Sequence, residues 1–303
     1  MIDLRTLTRL VETFAEDLDH AVAPFALAGR DIDTDAEPVL MGIVNLSVDS
    51  WYRESVAASR EAAVRRGRVL AAQGAHLVDV GAESVVGTAE RVGEERQREQ
   101  LVPVIADLAD AGVVTSVESY HPSVVEACLD AGAAVINLTG SGEDTAMFEL
   151  AARFDASVVL CHIGGTHARD LRTDASPSEV ADPFPSMLGS FEARVDAARA
   201  AGVRSVAVDP GVGFSTPWIQ TPEERVRWQA TTQLQSFRLR RLGMPICHAL
   251  PAAPATFGEE VRHAEGFFTV LAALGGTGIF RTHEIPQVAA VLQCLRDFAP
   301  LPD

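Results

Sequence analysis

The sequence predicts a (β/α)₈ barrel with an N-terminal helical extension, and three observations carry that expectation. Short runs rich in Val, Ile, Leu and Ala recur eight times along the 303 residues. Each is separated from the next by a segment that tolerates helix, as a parallel sheet covered by helices requires. The helical segments close on a Gly just ahead of the next run: Gly74 before HLVDV, Gly112 before VVTSV, Gly132 before AAVIN, Gly202 before RSVAVD, Gly243 before MPICHAL and Gly276 before TGIFRTH. A Gly just past a helix end is the expected left-handed cap. Finally, every run delivers a polar or ionisable residue at its C-terminal end, and a barrel gathers those ends at one mouth.

Taken in order, residues 1–24 read as one amphipathic helix, and Asp31 to Pro38 as an acidic, turn-rich connector. The expected organisation is a helix and connector over 1–37 and a barrel over 38–303. PVLMGIVN and SVVLCHI complete the strand set. Helices are expected over Val56 to Gln73, Glu94 to Ala111, Pro122 to Ala131, Asp144 to Phe154, Met187 to Ala201, Pro222 to Arg241, Glu259 to Leu274 and Pro286 to Phe298. The acids from Glu90 to Glu99 suit the solvated start of a helix, where they oppose the positive end of its dipole. Ser47 to Ser55 and Gly164 to Pro185 are long enough to be lids. A doubly wound sheet is disfavoured, because no Gly-rich dinucleotide fingerprint follows the first strand.

Composition narrows the chemistry. A formal charge of −17 argues against a nucleic-acid or anionic-membrane partner, since phosphate binding needs a basic footprint. No apolar run reaches the roughly 20 residues of a membrane helix, so a cytoplasmic address is expected. Cys128, Cys161, Cys247 and Cys294 lie in apolar segments without paired spacing and are expected to be buried free thiols. All 25 basic residues are Arg, so Schiff-base chemistry by a side-chain amine is excluded.

The strand ends carry, in order, Asn45, Asp79 with Glu83, Glu118, Asn137, His162, Asp209, His248, and Arg281 with His283. A purely structural mouth does not require ionisable groups throughout. Glu118, Asn137 and Asp209 suit a flat heterocycle that presents adjacent N–H donors and a carbonyl. Asn45 on one side, with Arg281 and His283 on the other, could hold an anion: Arg supplies a fork for phosphate oxygens and Asn a neutral oxygen for Mg²⁺. That pairing suggests an organic phosphate or diphosphate. A metal-hydrolase site is disfavoured because the three strand-end histidines share no ligand spacing. Catalysis by Cys161 or Cys247 is disfavoured because both look like core thiols.

Together these motifs resemble dihydropteroate synthase over roughly residues 38 to 296. MGIVNLSVDS, VDVGAES, SVESY, AVINLTG, VVLCHIGGT, VAVDPGVGF and IFRTHE are similar, in order, to that family's strand signatures. The resemblance implies a (β/α)₈ barrel, usually dimeric, that joins a pterin methyl diphosphate to p-aminobenzoate with loss of diphosphate. It implies a pterin pocket at Glu118, Asn137 and Asp209, to which Cys161 is added as a substrate-binding residue. It also implies Mg²⁺ and diphosphate contacts at Asn45, Arg281 and His283, and a first loop bringing Asp49 and Trp51 to the amine site.

The departures are equally specific. HALPAAP stands where the family carries Ser-Arg-Lys, and Ser215 and Thr216 stand where another Lys usually follows. Val85, Val86 and Gly87 replace Thr-Arg-Pro, Arg53 occupies a position that is often acidic, and Glu118 replaces a usual Asp. Arg53, Arg169 and Arg172 lie in the expected lids, where they could compensate. The expectation is a magnesium-dependent transferase with altered substrate, a homodimer acting on small molecules. A non-catalytic homologue serving as a partner or regulatory subunit is the alternative. A pterin-dependent methyltransferase is disfavoured, because a methyl carrier has no diphosphate for Arg281 and His283 to hold.

Overall fold

The eight apolar runs are the eight strands of one parallel sheet in the computed structural model, which describes residues 2–47, 56–57, 59–84, 89, 91–163, 165–168, 176–214, 218–219 and 221–297. The chain opens with α1 (Leu4–Thr13) and α2 (Ala15–Leu18), then a hairpin of β1 (Phe25–Leu27) and β2 (Arg30–Ile32). The barrel follows as β3 (Val39–Asn45), α3 (Arg60–Ala72), β4 (Leu77–Gly81), α4 (Glu94–Asp110), β5 (Thr115–Glu118), α5 (Pro122–Asp130), β6 (Val135–Leu138), α6 (Asp144–Phe154) and β7 (Ser157–Cys161). It continues with α7 (Pro177–Ala181), α8 (Phe184–Ala200), β8 (Val206–Asp209), α9 (Pro222–Leu234), a 3₁₀ helix (Ser236–Leu242), β9 (Cys247–Ala249), α10 (Pro254–Phe257), α11 (Val261–Leu274), β10 (Ile279–Thr282) and α12 (Ile285–Arg296).

Strand order is β8-β7-β6-β5-β4-β3-β10-β9. A parallel bridge between Val208 and Ile246, with the Val208 N–H donating to Pro245 O at 2.9 Å, joins the last strand to the first. The sheet is thereby closed into the expected barrel. Local chemistry sets the helix ends as the sequence suggested. The six cap glycines all have positive φ, 107° at Gly132 for instance, and Thr221 and Glu224 form a reciprocal capping box at the start of α9.

Two apolar shells hold the barrel. Val39, Met41, Leu77, Val135, Val159, Ala207, Cys247 and Ile279 fill its interior together with Phe25, Leu27 and Ile32 of the hairpin. The hairpin therefore plugs the floor, tied down where Ser157 Oγ donates to Ala26 O at 2.5 Å and the Ala26 N–H donates to Ser205 Oγ at 2.9 Å. The alternate strand residues, such as Leu40, Val78, Val80, Val117, Ile136, Val158, Val206 and Phe280, pack outward against the helices.

Three expectations are corrected. Residues 1–24 are not one helix: α1 and α2 are separated at Phe14, the helical segment ends at Leu18, and Pro24 leads into a strand. Phe14 and α2 lie against the 3₁₀ segment, where Arg238 stacks on Phe14 at 3.9 Å and on Phe184 of α8 at 4.5 Å and Arg241 pairs with Asp17 at 2.6 Å. The connector from Asp31 contains part of β2, because Ile32 is needed in the floor. Cys294 is exposed on α12, whereas Cys128, Cys161 and Cys247 are the buried free thiols expected.

Candidate functional site

Side chains alternate across a strand, so the residues that follow the interior apolar layer at intervals of two also face inward. Two residues beyond Leu77 is Asp79, beyond Val135 is Asn137, beyond Val159 is Cys161, beyond Ala207 is Asp209 and beyond Ile279 is Arg281. Glu118 is in register with Gly81, which is in register with Asn45. The alternation thus delivers Asn45, Asp79, Glu118, Asn137, Cys161, Asp209 and Arg281 to one layer at the C-terminal end of the barrel.

Asp79 is the hub of that layer, a role its place among the strand ends did not reveal. Its side chain has no exposed surface. One carboxylate oxygen accepts from Ser116 Oγ at 2.5 Å, and the other accepts from Asn137 Nδ2 at 2.9 Å and Arg281 Nε at 2.8 Å. A carboxylate of this kind only accepts, so it fixes the Asn137 amide with nitrogen toward Asp79 and the carbonyl oxygen on the other side. The Arg281 fork closes on a second acid, Nη2 donating to Glu118 Oε2 at 3.1 Å. The other Glu118 oxygen accepts from Thr139 Oγ1 at 3.3 Å.

Burial pushes Glu118 up to about 7, with Asp79 adding to the rise and the Arg281 charge and Thr139 opposing it. Burial likewise raises Asp209 to about 6, opposed by the Gly211 N–H, the Arg281 charge, the Ala249 N–H and the Cys247 thiol. Both acids therefore titrate near neutrality and can offer either an acceptor or a donor to a ligand. The Gly211 N–H donates to Asp209 Oδ1 at 2.8 Å. Gly211 itself has φ 75°, and a Cβ there would lie 1.9 Å from His162 O, so the turn after β8 admits only glycine.

Burial beside Asp209 drives the thiols of Cys161 and Cys247 well above their ordinary range. They stay protonated and do not act as thiolates. Apart from the Arg281 charge, every group bearing on Asp209 named above is neutral. The segment after Ala249 is apolar as well, with Leu250 buried and its N–H on Arg281 O at 2.9 Å.

The remaining expected residues divide. Asn45 ends β3 half-buried, bridged to Val56. His283 follows β10, its ring bonded to Glu265 Oε1 at 2.8 Å. His162 lies beyond β7 on the other side of the alternation, its ring tilted against Phe191 at 5.8 Å. His248 does not reach the mouth. It is in register with Phe280, which packs outward, so the fully buried imidazole lies between strand and helices and burial lowers it to about 3. Asp49, Trp51, Arg53, Val85, Val86, Gly87, Arg169, Arg172, Ser215 and Thr216 lie outside the described residues.

A second polar group adjoins the layer. Glu83 pairs with Arg91 at 3.0 Å, accepts from Gln97 Nε2 at 2.9 Å and lies 3.5 Å from His167. His167 stacks on Tyr120 at 3.7 Å between ring centroids, and Thr139 joins Tyr120 at 3.0 Å. Gln97, inside the charged run expected to be solvated, is fully buried and also accepts from Ser119 Oγ at 2.8 Å.

With this geometry in place, comparison with known proteins decides the family. The model of the pterin binding enzymes matches residues 41–283. This chain belongs to that family. Among curated relatives of this pterin-binding barrel, the dihydropteroate synthase of Mycobacterium leprae is 30% identical over 255 residues, covering 81% of this chain and 88% of its own. That of Bacillus subtilis is 28% identical over 269 residues, covering 85% and 87%. Among solved structures, Thermus thermophilus dihydropteroate synthase in complex with 4-aminobenzoate superposes with a TM-score of 0.75 at 25% identity, covering 91% of this chain and all of that one. The family assignment and the barrel thus agree with the resemblance read from the strand signatures.

Sequence reasoning left three contributors unassigned. Asp79 stands among the strand-end acids with nothing to mark it as the hub, and Ser116 is one of three polar residues in Thr115–Glu118. Glu265 carries no signal, because an acid in an amphipathic helix reads as a solvated face.

Proposed function

We propose that this pterin-binding barrel is a transferase for a pterin-type heterocyclic methyl diphosphate. It moves the methylene carbon to an amine or another nucleophile, with a substrate altered from that of the dihydropteroate synthases. The observation that carries the reading is the buried Asp79, Glu118, Asn137, Asp209 and Arg281 layer, whose free edges match a flat heterocycle rich in N–H donors. In the reaction the methylene carbon loses its bond to the diphosphate oxygen, which leaves with the electron pair. A bond to the acceptor nitrogen forms and a proton departs from that nitrogen.

Glu118, Asn137 and Asp209 hold the heterocycle and balance the positive charge that develops on it. Arg281, committed to Asp79 and Glu118, serves this zone by orienting both acids. The leaving anion falls to Asn45 and His283, and Cys161 lines the heterocycle side. Asp49 and Trp51 are assigned to the acceptor site on the resemblance alone.

Among the described residues no group of three or more His, Cys, Asp or Glu is placed to hold a metal ion. A Mg²⁺ here would take the Asn45 oxygen and otherwise oxygens of the diphosphate and water, as Mg²⁺ habitually does. When bound it would neutralise charge on the leaving group. A changed substrate is supported by the absence of any Lys and by the neutral Leu250, Pro251 and Ala252 beside β9. A cytoplasmic homodimer belongs to the same reading. The free thiols suit a reducing compartment, and Phe267, Leu274 and Leu295 stand exposed on the adjacent helices α11 and α12, where a second copy would cover them.

The test is diphosphate release from a pterin methyl diphosphate with Mg²⁺ across a panel of aryl and alkyl amines, p-aminobenzoate included. Release that requires an amine and is lost in Arg281→Ala supports the proposal. Pterin binding without release for any acceptor would replace it with the non-catalytic homologue.

A further inference from the structure

We infer that Glu265 is a positioning residue for His283, fixing which ring nitrogen carries the proton and which one is presented to the mouth. Glu265 stands near the start of α11 and is fully buried, although VRHAEGFF gives no hint of it. Among the described residues its carboxylate meets Thr282, the last residue of β10, and His283 just after it. His283 Nδ1 lies 2.8 Å from Oε1, the His283 backbone N–H is 3.3 and 3.2 Å from the two oxygens, and Thr282 Oγ1 donates to Oε2. The Thr282 hydroxyl in turn accepts from the Glu284 N–H at 2.9 Å, which leaves its own hydrogen for Glu265.

With both oxygens accepting from these donors, the Glu265 carboxylate has only acceptor capacity left for the ring, so Nδ1 carries the hydrogen. In the tautomer so fixed the lone pair is on Nε2, at the opposite side of the ring from Nδ1 and Glu265. Burial alone does not call for an acid here, since desolvating a carboxylate costs free energy that only the contacts from Thr282 and His283 offset. Among the described residues two arginines bear on the segment. Arg66 of α3 reaches the His283 carbonyl at 3.5 Å, and Arg262 of α11 pairs with Glu284 at 3.1 Å. Neither touches the Nδ1 contact. The geometry is that of a carboxylate holding a histidine in one tautomer so that its far nitrogen meets a ligand. Only the ligand's identity, an anionic leaving group, rests on the proposed function.

The experiment is nitrogen-15 NMR of histidine-labelled protein, with His283→Asn to assign the ring, on the wild type and Glu265→Met. The wild type is expected to hold the proton on Nδ1, and Glu265→Met to move it to Nε2. Protonation at Nε2 alone in the wild type, or a tautomer indifferent to Glu265→Met, overturns the inference. Should Glu265→Met fail to fold, the wild-type tautomer decides. A second arm measures affinity for magnesium diphosphate and for a pterin lacking the diphosphate. Glu265→Met is expected to weaken the first roughly tenfold and leave the second unchanged, whereas equal loss in both marks a merely structural role and overturns it. A wild type that binds no diphosphate refutes the proposed function, while the tautomer still judges Glu265.

Discussion

Replacing Glu118 by Gln should make the protein more stable above neutral pH and worse at holding its ligand. The carboxyl's folded value is about 7, against an ordinary 4.5, with burial as the main cause. A raised folded value means that the native state keeps a proton the unfolded chain has lost. The stabilising effect is complete below about 4.5 and is lost as pH rises through about 7. At 1.36 kcal/mol per unit, the buried ionised form costs on the order of 3 kcal/mol at pH 8. The Arg281 attraction is already contained in that figure, and Arg281 keeps Asp79 in the variant. For a chain of this size, about 3 kcal/mol corresponds to roughly 5 °C in melting temperature. Calorimetry at pH 5, 6, 7 and 8 should show wild type and Glu118→Gln nearly coincident at pH 5 and separated by about that amount at pH 8, with the variant higher. Titration with a pterin should show affinity reduced by about ten- to a hundredfold at pH 8, as expected for losing a charge-assisted bond to a ligand N–H. Melting temperatures that stay parallel across the range, or undiminished pterin affinity, would refute the argument that Glu118 is a strained acid held for binding.

The other expectations follow from named contacts. His248, lowered to about 3, stays neutral when folded while the unfolded chain protonates below about 6.5. Stability should therefore fall with pH, by about 2 kcal/mol from pH 7 to pH 5, and urea midpoints of His248→Leu should lack that component. Arg281→Ala leaves Asp79 and Glu118 facing each other and should lose about 3–5 kcal/mol at pH 8. Part of that should return at pH 6, as Glu118 takes up a proton, in denaturant melts at the two values. Gly211→Ala should lose roughly 2 kcal/mol or more, because its Cβ meets His162 O at 1.9 Å; an unchanged melting temperature would show that the turn after β8 can relax.

How much the sequence disclosed depended on which physical signal each residue leaves. The eight strands were legible because a strand covered by helices must be apolar throughout, and the glycine caps marked where each helix gave way. The floor hairpin was not. Its two-residue turn is Ala28-Gly29, both with positive φ, and Ala at the first position conceals a conformation usually announced by Asn, Asp or Gly. His248 looks like a mouth residue because it is the last polar residue of its run, yet strict alternation puts the middle of Cys-His-Ala on the outer face. Arg281 was legible as a cation at the mouth, but not as one already held by two acids. One of those acids, Asp79, is indistinguishable in sequence from any strand-end carboxylate. Glu265 was beyond reach, since burial of an acid on an amphipathic helix is decided entirely by what packs over it.

The pinning of Arg281 alters how the site must balance charge. With Arg281 paired, the layer holds Asp79, Glu118 and Asp209 against one guanidinium, two of them titrating near 6 and 7. A ligand that brings N–H donors lowers both values, because hydrogen bonds to the ionised form favour it. Binding should then release protons to solvent, most between pH 6 and 7, where both acids are partly protonated in the free protein. An acceptor-edged ligand would do the opposite, drawing protons onto Glu118 and Asp209. Calorimetric titration of a pterin at pH 6.5 in two buffers of different ionisation enthalpy measures the sign. Proton release supports a donor-edged heterocycle between these acids, whereas uptake would mean that the layer is built for a ligand of the opposite polarity.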